Sequence, residues 1–349
     1  MTGRKARSES PRAPLRRGLS PFQRGWLPPR LVALALLAFA ASFWILWEGH
    51  RQFSAPGPLA QPATVVIPKG VGSGEIGRIL AEAGVLDGRW LLPVAARLTG
   101  LKPKAGEYLF PAAISAEGAL VQMAEGRTVI HKLTVAEGLT VRHVLALVKD
   151  ADFLAGEVGR QPAEGALLPE TWYLSRDDAR DEVVARMERA MRQTLDAAWA
   201  GRAPGLPLKS KDEAVVLASI VERETALTAE RPLVAAVFEN RLRRGMRLQS
   251  DPTVIYGLSD HWGVLDRPLV HDDLAVAHPW NTYVIDGLPP TPIANPGKAS
   301  IEAVLHPAAT ADLYFVADGS GGHVFATTLE QHNANVAKWR KIESGRRDR

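Results

Sequence analysis

Lys211–Ala226 reads KDEAVVLASIVERETA, and this stretch decides the fold of the C-terminal half of the chain. Its apolar residues recur with the period of an α-helix. Ser210 precedes the stretch and Glu213 follows three residues later, a capping-box pair that predicts where the helix begins. A second helix is predicted to begin near Pro232 and to end at Gly245.

Two glutamates on the first of these helices point in different directions. At about 100° per residue, Glu224 falls in the middle of the apolar stripe, whereas Glu222 falls on the other side of the helix. We predict that Glu222 is a solvated or salt-bridged surface residue. Burial raises the pKa of a carboxyl group, so Glu224 would stay protonated near neutral pH, as a general acid requires. The alternative is a structural glutamate that is neutralised by Arg241 or Arg247.

Polar and aromatic residues follow this pair of helices. The segment Arg247–Gly257, RLQSDPTVIYG, is predicted to turn at Asp251-Pro252. Aromatic faces stack on sugar rings, and amides and hydroxyls bind sugar hydroxyl groups. Each aromatic residue could equally belong to the core. The aromatic residues in question are Tyr256, Trp262, Trp280 and Tyr283, and the polar ones include Gln249, Asn281 and Thr282.

The last part of the chain predicts a rigid loop, a hairpin and a helix. Leu288–Gly297 contains four prolines and cannot be a helix interior or a central strand. Leu313–Ala317 and His323–Thr327 flank the turn sequence DGSGG and are predicted to form a β-hairpin. Glu330–Arg340 is predicted to be a closing helix, and Asp181–Ala200 has an apolar stripe typical of a long helix.

A smaller unit precedes this region. Thr64–Pro68 and Glu107–Phe110 are predicted to be strands. Two short helices, at 75–83 and 89–98, are predicted between them, and a third, at 117–124, after the second strand. Ile67–Leu80 and Val135–Val148 resemble each other at an offset of 68 residues: each has a strand, a glycine and then a helix. The glycine spacing after Ile67 does not fit a dinucleotide-binding loop.

An apolar segment near the N-terminus predicts a membrane anchor. Leu31–Trp47 has no charged residue, and tryptophans lie at both of its ends. Residues 1–30 hold eight Arg or Lys residues and one acidic residue, which predicts a cytoplasmic N-terminus and an exported remainder. A cleaved signal peptide has a similar plan, but here the segment ends in bulky residues. Ser54–Pro62, with three prolines, is predicted to be a spacer.

Composition excludes several classes of function. The chain has 349 residues, 46% of them hydrophobic, which is typical of globular proteins. It has no cysteine, so disulfide scaffolds and thiol nucleophiles are excluded. The net charge of +4 comes from the basic N-terminus, and the rest is slightly acidic, which argues against nucleic-acid binding. His271 and His278 form only a weak metal-binding pattern, so we expect no metal and no cofactor.

Several long motifs, in order, resemble the endolytic murein transglycosylases, the MltG/YceG-like family. The resemblance extends from about Thr64 to Trp339. The motifs are LPETWYL (168–174), LASIVERET (217–225), NRLRRGMRLQSDPTVIYG (240–257), WNTYVIDGLPPTPIANPG (280–297), HPA (306–308) and LYFVADGSGGHVF (313–325).

The resemblance implies an α+β protein with six segments. They are a basic cytoplasmic tail (1–30), a transmembrane helix (31–47), a linker (48–63), a LysM-like small domain (64–132), a mixed α/β catalytic domain (133–340) and a polar tail (341–349). It implies a single-pass protein of the inner membrane with a periplasmic catalytic domain. The implied partners are peptidoglycan glycan strands and, as candidates, proteins of wall synthesis or division.

The resemblance also implies the chemistry. The enzyme would cleave MurNAc-β-1,4-GlcNAc bonds within nascent strands and leave 1,6-anhydro-MurNAc ends. The family's catalytic glutamate, which precedes Thr or Ser, corresponds to Glu224, and it would act first as acid and then as base. Glu170 lies in a family motif and would tie the domains together. Two alternatives stay open, a hydrolase with Asp251 as its second carboxylate and a non-catalytic glycan-binding scaffold. The residues expected to shape the cleft are Gln249, Ser250, Asp251, Thr253, Asn281 and Tyr283.

Overall fold

A long apolar helix begins the part of the chain that the structure describes. The computed structural model describes residues 28–347, and side chains as far as residue 344. Helix α1, Pro29–Ser54, has a proline in its first turn and an apolar window with a mean hydropathy of 2.0. Its 26 residues span about 39 Å, enough to cross a bilayer. The predicted anchor lies within α1, and most of the predicted basic tail lies outside the described residues.

The predicted linker is partly helical. Helix α1 continues through Ser54, and its last turns pack against the small domain instead of running free as a spacer. Phe53 packs against the small-domain core, and the Ser54 hydroxyl donates a hydrogen bond of 3.0 Å to Glu117. The extended segment therefore begins only at Ala55.

The small domain is a two-stranded sheet packed against three helices. Strand β1 (Ala63–Ile67) is followed by helices α2 (Ser73–Glu82) and α3 (Leu91–Thr99), strand β2 (Gly106–Phe110) and helix α4 (Ala116–Glu125). The two strands pair antiparallel, with Ala63 opposite Phe110. One face of this sheet is buried against the helices through Val65, Ile67, Tyr108 and Phe110. The sequence predicted these five elements, each within a few residues of its observed bounds.

The second copy of the strand–glycine–helix pattern joins the small domain to the rest. Strand β3 (His131–Thr134) pairs antiparallel with β4 (Thr171–Leu174), and helices α5 (Val141–Asp150) and α6 (Arg180–Ala200) pack beside them. Gly70 and Gly138, which occupy matching places in the two copies, have φ angles of 85° and 77°. Both glycines supply a left-handed turn between strand and helix, which explains the similarity of the two sequences.

Ion pairs connect the two units. Arg176 donates a hydrogen bond of 2.9 Å to Glu107 on β2, and His131 contacts the same carboxylate at 2.5 Å. Burial alone would raise the pKa of Glu107, but these two hydrogen bonds outweigh it and the net pKa is lowered. Lys69 donates to the carbonyl oxygen of Asp177 at 2.9 Å. The small domain is thus held to the second unit by buried and half-buried charges.

Four helices form the core of the C-terminal unit. They are α7 (Lys211–Glu224), α8 (Arg231–Arg243), α9 (Asp251–Leu258) and α10 (Lys298–Leu305), and short 3₁₀ turns lie at Thr228–Glu230 and His271–Ala275. The predicted helix start at Ser210 is confirmed, because Ser210 Oγ accepts from the Glu213 amide at 3.2 Å, but the reciprocal bond of a capping box is not formed: the Glu213 carboxylate accepts from the Lys209 amide at 2.5 Å. The turn predicted at Asp251-Pro252 is wrong: Pro252 lies in the first turn of α9, where its missing amide hydrogen costs nothing.

A hairpin and a terminal helix complete this unit. Strands β5 (Tyr314–Ala317) and β6 (His323–Ala326) pair antiparallel, as the sequence predicted, and helix α11 (Leu329–Arg347) follows them. The proline-rich segment 288–297 has no regular secondary structure, which confirms that prediction. Within residues 28–347 the six strands form three separate two-stranded sheets, so the class is α+β.

Candidate active site

Helix α7 brings two glutamates to its C-terminal end. Residues 214–221 are buried on every side, because α6, α8, α9 and α10 surround the helix. Glu224 is the last helical residue and is half-buried, and its carboxyl group lies against Ser250. Glu222 is buried: it accepts from Arg231 at 2.8 Å and from the Gly297 amide at 2.9 Å. The predicted salt bridge of Glu222 is confirmed, and the predicted surface position is wrong.

Ser250 is the hydrogen-bond donor to Glu224, and its hydroxyl contacts the Oε1 atom. Backbone and hydroxyl contacts fix Ser250 in turn. Its amide donates to Thr282 Oγ1 at 2.9 Å, and its carbonyl oxygen accepts from Thr253 Oγ1 at 2.6 Å. The Thr253 and Thr282 hydroxyls lie 2.9 Å apart. This buried network of hydroxyl groups holds the donor at a fixed position against the Glu224 carboxyl group.

The surroundings of Glu224 favour the protonated form. Burial raises the pKa of Glu224 to about 7, and the negative charge of Asp251 adds to the increase. The hydrogen bond from Ser250 and the positive charges of His323 and Arg241 oppose it but do not cancel it. Near neutral pH this carboxyl group can therefore carry the proton that a general acid donates.

Neither arginine considered from the sequence forms an ion pair with Glu224. Arg241 is buried, and its guanidinium donates to the carbonyl oxygens of Leu313 at 2.7 Å and Leu248 at 2.6 Å. Arg247 pairs with Asp286 at 3.0 Å. Within residues 28–344, Glu224 takes part in no salt bridge, so the structure does not support the purely structural, neutralised glutamate.

Of two more predicted cleft residues, Tyr283 lies near Glu224 and Gln249 precedes Ser250 in the chain. Tyr283 donates a hydrogen bond of 2.6 Å to Asp251 Oδ1, and burial together with this carboxylate raises the pKa of Tyr283. Gln249 is exposed and has a φ angle of 49°, which is uncommon for a residue other than glycine. Its amide donates to the carbonyl oxygen of Thr282 at 3.1 Å. Backbone strain of this kind often accompanies functional sites.

Thr253 and Asn281 lie beneath the cleft. Both are fully buried. The Asn281 side-chain amide donates to the carbonyl oxygens of Leu274 and Val276, at 3.0 and 2.7 Å, and its oxygen accepts from the Tyr283 amide at 2.9 Å. The side-chain amide and oxygen of Asn281, which the sequence predicted to bind a sugar, are therefore bonded to the backbone. Asn281 thus positions the segment that carries Tyr283.

The sequence did not predict a histidine–glutamate pair that includes His323, at the start of β6. His323 Nδ1 lies 2.7 Å from Glu230 Oε2, and the His323 amide donates to Oε1 at 2.8 Å. Burial alone would raise the pKa of Glu230, but these hydrogen bonds outweigh it and the net pKa is lowered. A side chain at Gly322 would come within 2.6 Å of Glu230 Oε1, so the carboxylate that contacts His323 would have to shift.

The model of the YceG-like family matches residues 65–338 of the chain, a range that includes every residue of this site. The chain belongs to the YceG-like family. It is 38% identical over 182 residues to the endolytic murein transglycosylase of Bacillus subtilis (strain 168), a match that covers 52% of this chain and 49% of the relative. It is 28% identical over 359 residues to the endolytic murein transglycosylase of Streptococcus pneumoniae (strain D39), with 88% and 64% covered. The matches thus span about half of the first relative and just under two thirds of the second.

A solved structure is similar as well. A YceG-like protein of Listeria monocytogenes, determined at 2.6 Å, is 29% identical and covers 79% of this chain and 99% of its own, with a TM-score of 0.47.

Most of the aromatic residues predicted near the YceG-like site contribute to packing. Tyr256 is buried and stacks on His261 at 4.9 Å between ring centroids, and Trp280 lies 5.7 Å from Tyr256. Trp262 remains partly exposed beneath the guanidinium of Arg142. Tyr283 is the aromatic residue that borders Glu224 through Asp251.

The described residues contain no cluster of side chains that could bind a metal ion. Among residues 28–344 no three His, Asp or Glu side chains converge as metal ligands would. His271 is exposed, and His278 Nδ1 accepts from the Trp280 amide at 3.1 Å. Glu170, from the upstream YceG-like motif, pairs with Lys298 at 2.5 Å, which ties β4 to the start of α10.

Proposed function

We propose that this chain is a membrane-anchored endolytic lytic transglycosylase of peptidoglycan. It would cleave MurNAc-β-1,4-GlcNAc bonds inside glycan strands and leave 1,6-anhydro-MurNAc ends. Family membership and the names of the curated relatives support the substrate class. The observation that carries the proposal is the Glu224 carboxyl group at the end of α7, whose pKa is raised to about 7 by burial and which Ser250 holds in place.

One carboxyl group suffices for this reaction. Protonated Glu224 donates its proton to the glycosidic oxygen, and the bond between that oxygen and C1 of MurNAc breaks. The Glu224 carboxylate then takes the proton of the C6 hydroxyl group on the same MurNAc, and the C6 oxygen bonds to C1. The leaving GlcNAc gains a hydrogen, the anhydro ring closes, and Glu224 is protonated again. No water is consumed, in contrast to ordinary glycoside hydrolysis.

The neighbours of Glu224 divide into two roles in this proposal. Gln249 and Asp251 are exposed and Tyr283 is half-buried, and these three residues would contact the glycan. Ser250 is buried and would act through its hydrogen bond to Glu224. Thr253 and Asn281, which the sequence placed among the glycan-binding residues, would act beneath the cleft by positioning Ser250 and Tyr283.

Helix α1 would be an uncleaved anchor in the inner membrane, with the N-terminus in the cytoplasm and the catalytic domain in the periplasm. Its length and hydropathy suit a membrane span, and its last turn packs against the small domain. A periplasm-dependent reporter enzyme fused after Arg349 should be active in cells. An inactive periplasmic reporter, with an active cytoplasmic one at the same position, would contradict this topology.

The small domain would be a LysM-like module that binds glycan, with β1 and β2 flanking two helices. Proteins of wall synthesis or division are candidate partners of the whole chain in the cell.

Product analysis tests the proposed reaction. The purified full chain is incubated with glycan strands from purified peptidoglycan, and the products are identified by mass spectrometry. We expect cleavage within the strands to create new ends that carry 1,6-anhydro-MurNAc. Each such product has a mass lower by one water than the same product with a reducing end. Glu224→Gln should lower the rate by about 10²–10⁴-fold, as expected for the loss of a general acid. Glu157→Gln, at an exposed glutamate on the surface, is the matched control and should cleave normally.

Two results would favour the alternatives. Reducing ends would indicate a hydrolase, for which Asp251 beside Glu224 supplies a second carboxylate. Glycan binding with no cleavage by the wild-type chain would indicate a scaffold, and unchanged cleavage by Glu224→Gln would remove Glu224 from the mechanism.

A further inference from the structure

The small domain exposes an apolar face on helix α3. Trp90, at the N-cap of this helix, is followed at four-residue intervals by Val94 and Leu98, and Leu101 lies beyond its C-terminal end. Their exposed fractions are 51%, 45%, 78% and 37%. The opposite side of α3 packs into the small-domain core, so this stripe is a second apolar face on an already packed helix. Clustered exposed apolar residues mark interaction surfaces.

This face continues the apolar surface of the anchor. Helices α1 and α3 line one open cleft of about 680 Å³, with mostly apolar walls. The main apolar side chains that line it are Trp44, Leu46 and Phe53 from α1 and Trp90, Val94 and Leu98 from α3. The volume is that of a cavity that takes a drug-sized molecule or a stretch of hydrocarbon chain.

The position of this cleft along α1 determines whether it faces water or the lipid bilayer. Trp44 and Leu46 belong to the uncharged segment 31–47, which crosses the bilayer in the anchor proposed above. Helix α3 shares the cleft with these residues, so its exposed face lies at the depth of the bilayer edge. This inference therefore rests on the proposed anchor. Tryptophan at both Trp44 and Trp90 suits the interface between hydrocarbon and head groups.

The charges around the face fit a lipid head-group layer. Arg97 on α3 and Lys102 just beyond it are exposed, and neither forms an ion pair with a carboxylate of residues 28–344. Lys104 is also exposed, and its ammonium group donates to the carbonyl oxygen of Glu125 and pairs with no carboxylate of the described residues. Lysine and arginine beside an apolar helix face attract anionic lipid phosphates.

We infer that α3 docks the small domain into the outer leaflet of the membrane that α1 crosses, and that a lipid acyl chain fills the cleft between the two helices. The small domain is held to the catalytic unit through Glu107, Arg176 and His131. Docking of α3 therefore sets the height and orientation of Glu224 above the membrane.

Because the chain contains no cysteine, single cysteines allow a direct test in the full-length protein. The chain is reconstituted into vesicles of phosphatidylcholine and phosphatidylglycerol, and an environment-sensitive fluorophore is attached at Leu98→Cys. Leu109→Cys is the matched control, an exposed leucine on β2 whose side chain lies on the opposite face from buried Tyr108 and Phe110. Leu37→Cys, within the anchor, reports insertion. Lipids with spin-labelled acyl chains then quench any fluorophore that contacts them.

We expect blue-shifted emission and strong quenching at 98 and 37, and emission typical of water without quenching at 109. Water-like emission at 98 would overturn the proposal, as would shielded emission that lipid quenchers do not reduce, since the latter indicates a protein partner or a second copy. No quenching at 37 would refute the anchor and the docking together. Cleavage of glycan by the same labelled chains in detergent is measured separately, so a failure of the docking is distinguishable from a failure of the proposed reaction.

Discussion

Replacing Glu224 by glutamine should make the catalytic domain more stable at alkaline pH. The pKa of Glu224 is about 7 in the folded chain, against an ordinary value of 4.5. The folded state therefore binds more protons than the unfolded state between these pH values, and folding stability falls as the pH rises from about 4.5 through about 7. At about 1.4 kcal/mol per pH unit, the cost above pH 7 is about 3 kcal/mol. Glutamine is neutral throughout and avoids this cost.

Hydrogen exchange of the α7 amides measures this effect within the catalytic domain, independently of how the small domain unfolds. We expect Glu224→Gln to raise the free energy of opening by about 3 kcal/mol at pH 8 and by about 0 at pH 4, where both side chains are neutral. Glu157→Gln, at an exposed surface position, should change it by less than about 0.5 kcal/mol at either pH. An equal effect of Glu224→Gln at both pH values, or a loss of stability at pH 8, would refute the raised pKa.

Two further predictions concern the neighbours of Glu224. Ser250→Ala removes a hydrogen bond that lowers the pKa of Glu224, and Asp251→Asn removes a charge that raises it, so the alkaline limb of activity should move to higher pH in the first variant and to lower pH in the second. A hydrogen bond to a charged group contributes about 1.5–3 kcal/mol, so the alkaline limb of Ser250→Ala should move by about one pH unit or more. If the limb moved in the same direction in both variants, the electrostatic account would be contradicted. Asn281→Ala leaves two buried carbonyl groups without their donor and should destabilise the catalytic domain by roughly 2–4 kcal/mol, measured by urea unfolding of the full chain; unchanged stability would show that the buried amide is dispensable.

Local patterns predicted much of this fold because their causes are local. The N-cap at Ser210, the hairpin around DGSGG and the repeated strand–glycine–helix unit all depend on residues close in sequence. Helical periodicity also pointed to Glu224, because it placed this carboxyl group on the side of α7 that faces protein.

Other features depend on contacts that no local pattern contains. Periodicity assigned Glu222 to a surface, but α7 is enclosed on all sides by four helices, so its second face is buried as well. The Ser250 donor is 26 residues from Glu224, and His323 is 93 residues from Glu230. The chemical type of Asn281 indicated a hydrogen-bonding role but not its partners, which are backbone carbonyl groups and not a ligand.

The pH dependence of kcat/KM for cleavage of glycan strands tests the central claim most directly, because it reports the pKa of the essential acid in the free enzyme. If Glu224 holds the catalytic proton, the alkaline limb has its midpoint near pH 7, the pKa of this buried carboxyl group, and falls about tenfold per pH unit above it. An alkaline limb that begins near pH 4.5, the ordinary value for a glutamate in water, would contradict the claim.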